Sequence, residues 1–227
     1  MFRERLAEVE ARIRRAVMRA GRRRDEITLI GVTKLFPASV GREAYALGVR
    51  HFGENYVQEF EGKLPELGEL AGAQFHLIGH LQSNKAKRAA QLFDVIETVD
   101  SAKLARRLEE VPRELRRSSG GPLEVMIEVR LSAEETKSGV SPEELPAVLE
   151  AVRSCPSLHL TGLMTMPPFS DDPEQSRPYF RRLRELAERF GLAKLSMGMS
   201  HDLEVAVEEG ATHLRVGTAL FGPRREQ

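Results

Sequence analysis

Residues 27–54 read ITLIGVTKLFPASVGREAYALGVRHFGE, and the order of patterns within them decides the fold. Residues 27–34 form a short β-branched and apolar run, residues near 39–48 carry helical spacing, and residues 51–54 return to a short strand. The alternation continues to the end of the chain. It predicts further strands at 74–79, 95–99, 123–130, 158–164, 195–199 and 213–216, with helices near 56–67, 83–92, 101–117, 142–153, 173–190 and 202–209. Upstream, Phe2, Leu6, Val9, Ile13 and Val17 recur at steps of three and four, one apolar face of an N-terminal helix. Eight strands with a helix after each of the first seven predict a (β/α)8 barrel of the α/β class, forming a single domain over residues 1–227. The chain ends about ten residues after the eighth strand, too few for an eighth helix of ordinary length. The N-terminal helix is therefore expected to cover that place in the outer ring. A doubly wound open sheet is the competing arrangement, and the strand count favours the barrel.

Stop and start signals agree with these elements. Ser141-Pro142-Glu143-Glu144 offers a capping Ser, a Pro in the first turn and a Glu at the third position. Gly191 and Gly210 stand where helices should end. Residues 118–122 read as a loop before the fifth strand.

Composition narrows the function. With 227 residues and 41% hydrophobic content the chain can bury a sizeable core. Its 34 basic and 34 acidic side chains cancel, which argues against a sequence-independent nucleic-acid binder. The basic runs Arg22–Arg24 and Arg181, Arg182 and Arg184 lack interleaved aromatics; they are expected to serve the end of the first helix and a solvated helix face. The single cysteine, Cys155, permits no internal disulfide and fits a reducing compartment. The charged N-terminus lacks the apolar stretch of a signal peptide, and nowhere do about 18 apolar residues run together, so the expected location is the cytoplasm, with no membrane partner. The histidines are scattered without metal-ligand spacing, so no metal is expected.

In a parallel barrel, function collects at the carboxyl ends of the strands. Lys34 ends the first strand on the face shared by Ile30 and Val32. If that face points inward, desolvation would favour the neutral amine that attacks a carbonyl; otherwise Lys34 is a snorkelling surface lysine. After the seventh strand, Gly198 permits close backbone approach and Ser200 could cap a helix starting at His201, offering amides to an anion. Gly217 and Thr218 repeat this one strand later. Singly each reads as a cap or a tight turn, but together they fit a phosphate site. Arg215 shares the face of Gly217 and should point into the mouth, unless it pairs with Asp100 or Glu54. Asn55, after the second strand, either contacts a ligand or caps the next helix. Cys155 reads as a bystander, and Tyr56 as a packing residue.

A lysine, a phosphate cup and an arginine on one barrel mouth suggest pyridoxal phosphate. The sequence resembles, essentially end to end, the pyridoxal phosphate homeostasis proteins, which are similar to the barrel domain of bacterial alanine racemase. The resemblance rests on Gly31–Lys34, Phe52–Glu59, His76–Lys85, Lys137-Ser138-Gly139, Gly162–Met166, Leu195–Asp202 and Arg215–Thr218, with Phe221-Gly222 closing the set. It implies a lysine aldimine at Lys34, phosphate binding by Ser200, Gly217 and Thr218, Arg215 at the pyridine nitrogen and Asn55 near the ring. Its implied role is cofactor homeostasis without robust catalysis. The alternative is an amino-acid racemase, for which Tyr56 is the only candidate second base beside the mouth. PLP-dependent apo-enzymes are the implied acceptors, and a monomer is the expected state. His80 and the strand-five segment Glu128-Val129-Arg130 depart from the family pattern at the mouth. Substitution of Arg215 or Thr218 by Ala is expected to loosen the cofactor more than it changes stability.

Overall fold

In a computed structural model, residues 1–117, 121–132 and 138–223 are described. The elements run α1 (Phe2–Arg19), β1 (Thr28–Val32), α2 (Ala38–Ala46), β2 (His51–Glu54), α3 (Val57–Leu67), β3 (Gln74–Leu77), α4 (Ala86–Leu92), β4 (Val95–Val99) and α5 (Ala102–Glu109). They continue with β5 (Leu123–Glu128), α6 (Leu145–Arg153), β6 (Leu158–Met164), α7 (Arg177–Phe190), β7 (Lys194–Ser196), α8 (Leu203–Glu208), β8 (His213–Val216) and α9 (Thr218–Phe221). The eight strands pair in parallel, each with its sequence neighbour, and β8 closes on β1 with Thr28 beside His213 and Gly31 beside Val216. The expected barrel is what forms, and the open sheet is excluded.

One correction concerns the eighth helix. A single helical turn, α9, does follow β8, and α1 packs across α8 and α9 to fill the rest of that sector. Arg12 grips Glu204 through two bonds of 2.7 Å, while Arg22 reaches the carbonyls of Val207 and Ala211 at 3.0 and 2.8 Å. Arg22 therefore serves the end of α8 rather than of α1. Arg181 and Arg184 are likewise not merely solvated: with Arg177 they converge on the nearly buried carboxylate of Glu209.

The expected strands overran at their carboxyl ends, where the backbone turns out of the ladder to form the mouth. β1 stops at Val32, two residues before Lys34, and Leu35 takes a left-handed φ of +62°. β7 stops at Ser196, two residues before Gly198 at φ +92°. β5 ends at Glu128 and continues only as a bridge between Val129 and Val140. The helix expected over 101–117 ends at Glu109, because Pro112 cannot continue it and the Arg116 guanidinium binds the carbonyls of Leu108 and Val111. α6 starts at Leu145, yet the capping box forms one turn earlier: Glu144 N donates to Ser141 Oγ at 3.3 Å, and the Glu144 carboxylate accepts from Ser141 N. Gly191 ends α7 in the left-handed region as expected. The loop residues 118–120 and Lys137 lie outside the described residues.

The apolar core lies between strands and helices. Phe60 of α3 packs between Phe75 and Phe93 in tilted contacts with ring centroids 4.8 and 4.7 Å away, with Phe180, Leu183, Ile13 and Leu108 among the other fully buried members. Cys155 belongs to this layer, and its Sγ donates to the Ala151 carbonyl.

Candidate functional site

All six expected site residues, Lys34, Asn55, Ser200, Arg215, Gly217 and Thr218, line one cavity of about 530 Å³ at the carboxyl end of the barrel. Val32 lines it beside Lys34, so the face shared by Ile30, Val32 and Lys34 points inward, and Lys34 is half-buried. Met166, Met199 and Phe169 supply apolar walls; Phe169, 79% exposed, stands at the rim against His201.

Asn55 does not cap α3. The residue at that cap is Tyr56, and the Asn55 Oδ1 is a buried acceptor with no hydrogen-bond partner. A desolvated, unpaired amide oxygen costs about 1–3 kcal/mol, so its place in a cavity wall suits a ligand donor. Tyr56 itself is 55% exposed, which corrects its reading as a packing residue.

Ser200 also departs from expectation. α8 starts at Leu203 rather than His201, and Ser200 Oγ accepts instead from Ala219 N at 3.1 Å, tying the loop after β7 to the first turn of α9. Asp202 holds that loop by accepting from Met199 N at 2.7 Å and from Ser176 Oγ at 2.9 Å. At Gly198 a Cβ would collide with the Cβ of Ala206, so only glycine allows this close turn. The result is a stretch of small residues and backbone, Ser200, Gly217, Thr218 and Ala219, that lines the same cavity as Lys34.

Arg215 pairs with neither Asp100 nor Glu54. It is 3% exposed and donates to Ser196 Oγ at 2.6 Å and to the Thr165 carbonyl at 2.8 Å. Ser196 Oγ in turn donates to Glu97 Oε2 at 2.5 Å, and Glu97 Oε1 bonds His76 Nδ1 at 2.8 Å. His76 Nε2 meets His51 Nδ1 at 3.0 Å. β4 and β7 are not neighbours, so the Glu97–Ser196 bond crosses the lumen of the barrel. A chain of polar groups thus runs up the barrel axis from His51 to the cavity floor. Burial opposes the charge on Glu97, but the hydrogen bond and electrostatic attraction of His76, together with the attraction of Arg215, prevail and hold its pKa at about 2. Burial likewise lowers His51 and His213 to about 4. Burial lowers Arg215 as well, against the attraction of Glu97.

Sequence reasoning missed this chain below Arg215, and it gave no role to Glu128, which is buried with Oε2 unpaired. Burial raises its pKa to about 7, against the pull of Arg215 and helped by Asp100. Of the two departures noted at the mouth, His80 lies 3.4 Å from Asp100, and Arg130 N donates to the Val140 carbonyl at 2.9 Å. Among the described residues no group of His, Cys, Asp and Glu could hold a metal ion, and no helix is long and apolar enough to cross a membrane.

The barrel and its mouth define the class. Residues 5–225 match the model of the alanine racemase N-terminal domain family. An alanine racemase of Clostridium difficile 630, 15% identical, superposes with a TM-score of 0.73 over all of this chain and 57% of its own, a likeness of fold. The pyridoxal phosphate homeostasis protein of Pseudomonas aeruginosa is 47% identical over 97% of this chain and 95% of its own, and that of Aquifex aeolicus 43% identical over 98% of each. PipY of Synechococcus elongatus PCC7942, solved with PLP bound, is 38% identical with a TM-score of 0.84, covering 98% of this chain and 100% of PipY. The chain belongs to the pyridoxal phosphate homeostasis protein family.

Proposed function

We propose that this chain binds pyridoxal 5'-phosphate in the barrel-mouth cavity, covalently through Lys34, and serves the intracellular balance of that cofactor without robust catalysis of its own. The observation that carries the reading is the convergence of an amine, an unpaired amide oxygen, a buried guanidinium and a stretch of small residues on one cavity. A bound PLP supplies an aldehyde carbon, a pyridine nitrogen and a phosphate, and the donor set matches each. Lys34 takes the aldehyde. Gly217, Thr218 and Ser200 take the phosphate. Asn55 faces a ring substituent, and Arg215 faces the ring nitrogen. A guanidinium only donates, so a nitrogen facing Arg215 must be an unprotonated acceptor, which weakens the ring as an electron sink and favours carriage over catalysis.

Racemisation would need an acid/base on each face of the ring. Tyr56, exposed at the start of α3, is not among the residues lining the cavity. The remaining elements of the proposal are a cytoplasmic monomer over residues 1–227 that hands its cofactor to PLP-dependent apo-enzymes. Borohydride reduction of the protein with PLP, followed by peptide mapping, tests the site. The expected result is a pyridoxyl group on Lys34, lost in Lys34→Ala with the fold intact. An adduct on another residue, or none, overturns it.

A further inference from the structure

The backbone on both sides of Lys34 is held by side chains of β2 and α3. On one side, the Thr33 carbonyl accepts from Lys63 Nζ at 2.8 Å and the Thr33 hydroxyl donates to Glu54 Oε1 at 2.8 Å. On the other, Leu35 N donates to Glu59 Oε1 at 2.6 Å. The three anchoring residues are themselves one ion cluster, with Lys63 Nζ at 2.9 Å from Glu54 and 2.6 Å from Glu59. Thr33 O, Glu54 and Glu59 thereby take the three N–H donors of the ammonium. Glu54 comes from the end of β2, Glu59 and Lys63 from successive turns of α3.

The segment so held is strained. Leu35 is the one non-glycine residue with positive φ among the described residues, at +62°. A bulky side chain in the left-handed region costs about 1–2 kcal/mol and persists only where the surroundings impose it. None of Glu54, Glu59 and Lys63 lines the Lys34 cavity; Glu54 and Lys63 border a separate small cavity with Phe52 and Phe75. The cluster is also a poor device for stability alone. Glu54 is almost wholly buried, Glu59 Oε2 is buried without a partner, and desolvating such a cluster offsets much of its attraction. Its distinctive output is two fixed backbone groups, one either side of Lys34.

We infer that Lys63, with Glu54 and Glu59, is a positioning residue that clamps the backbone on both sides of Lys34 in a strained turn and so aims its amine into the cavity. The inference rests on the reading of Lys34 as the covalent cofactor lysine. A lysine carries about 2 kcal/mol of rotamer entropy, and a fixed backbone on both sides lowers what must be ordered when the amine bonds its ligand.

Affinity for PLP, read by absorbance, is compared with affinity for pyridoxine phosphate, which has the same phosphate and ring but no aldehyde. In Lys63→Met and in the less buried Glu59→Ala, PLP affinity should fall about tenfold while pyridoxine phosphate affinity stays within about twofold, because only the carbonyl ligand depends on the aim of the amine. Leu35→Gly removes the strain, so in that background the loss on Lys63→Met or Glu59→Ala should shrink to about twofold. Equal losses for the two ligands, losses unchanged by Leu35→Gly, or no loss in Glu59→Ala would overturn the clamp. Absence of a borohydride adduct on Lys34 of the parent protein would instead overturn the cofactor reading beneath it.

Discussion

The barrel has two interiors, and they are built from opposite chemistry. Between strands and helices lies an apolar jacket in which Phe60, Phe93, Phe180 and their neighbours pack without polar partners. Inside the strands, Ile30, Val95, Met126 and Met164 share the lumen with His51, His76, Glu97, Ser196, His213 and Arg215. The jacket stabilises through area removed from water, which is tolerant of exchange among apolar side chains. The lumen stabilises only if every charge keeps its partner, because an uncompensated buried charge costs far more than the pair contributes. The difference teaches that the mouth is held from below: Arg215 is placed by a column of hydrogen bonds that reaches the far end of the barrel.

The comparison breaks most visibly at Glu97. Glu97→Gln leaves Arg215 buried without its counter-charge and should cost about 3 kcal/mol in denaturant unfolding, similar to Phe60→Ala in the jacket. The two variants should part on PLP affinity, which falls for Glu97→Gln and holds for Phe60→Ala. Equal affinities would show that the lumen does not position the mouth. Acid supplies a second signature of the same group. Folded Glu97 titrates near 2, below its unfolded value of about 4.5, so its contribution is complete above pH 4.5 and lost as pH falls towards 2. That part of the acid limb should vanish in the Gln variant.

Glu128 gives a smaller effect of opposite sign. Its folded pKa, about 7, lies above the unfolded value, so its contribution is present below about pH 4.5 and lost as pH rises through 7. Glu128→Gln should therefore raise stability by about 2 kcal/mol at pH 8 and change it little at pH 4. A gain that is the same at both pH values would refute the buried-carboxyl account.

The smallest change in stability is expected at the exposed Thr218. Thr218→Ala should leave thermal stability within about 0.5 kcal/mol while weakening PLP binding about tenfold, measured side by side by calorimetry and titration. Arg215→Ala, expected from sequence to behave the same way, should not: removing a guanidinium on which Ser196, Thr165 and Glu97 depend will also destabilise the fold.

The jacket was legible in the chain and the lumen was not, for a physical reason. Runs such as 27–32 and 95–99 are β-branched or apolar enough to mark strands whichever face is buried, and the helices carry their apolar stripe openly. Glu97 within Val-Ile-Glu-Thr-Val shares its face by alternation with Val95 and Val99, and nothing local says that a carboxylate there meets partners from across a closed ring. The mouth residues could be listed because a barrel brings all its strand ends together. Their bonding could not, since Ser200 meets Ala219, and Arg215 meets Thr165, only through the closed ring. The clamp on Lys34 hid for a like reason: Glu59 and Lys63, four apart on a helix, look like an ordinary surface pair until Glu54 and Thr33 are brought beneath them.

The clasp of α1 on α8 has a consequence for how the molecule comes together. Arg12 bonds Glu204 and the carbonyl of Ser200, partners 192 and 188 positions later, and β1 lacks one neighbour until β8 exists. Contacts at such separation demand that nearly the whole chain be looped before they return anything, which slows folding and leaves the early strand edge open meanwhile. The loops after β7 and β8 that line the mouth arrive together with the closing seam of the ring, so the mouth cavity is complete only in a chain whose barrel has already closed.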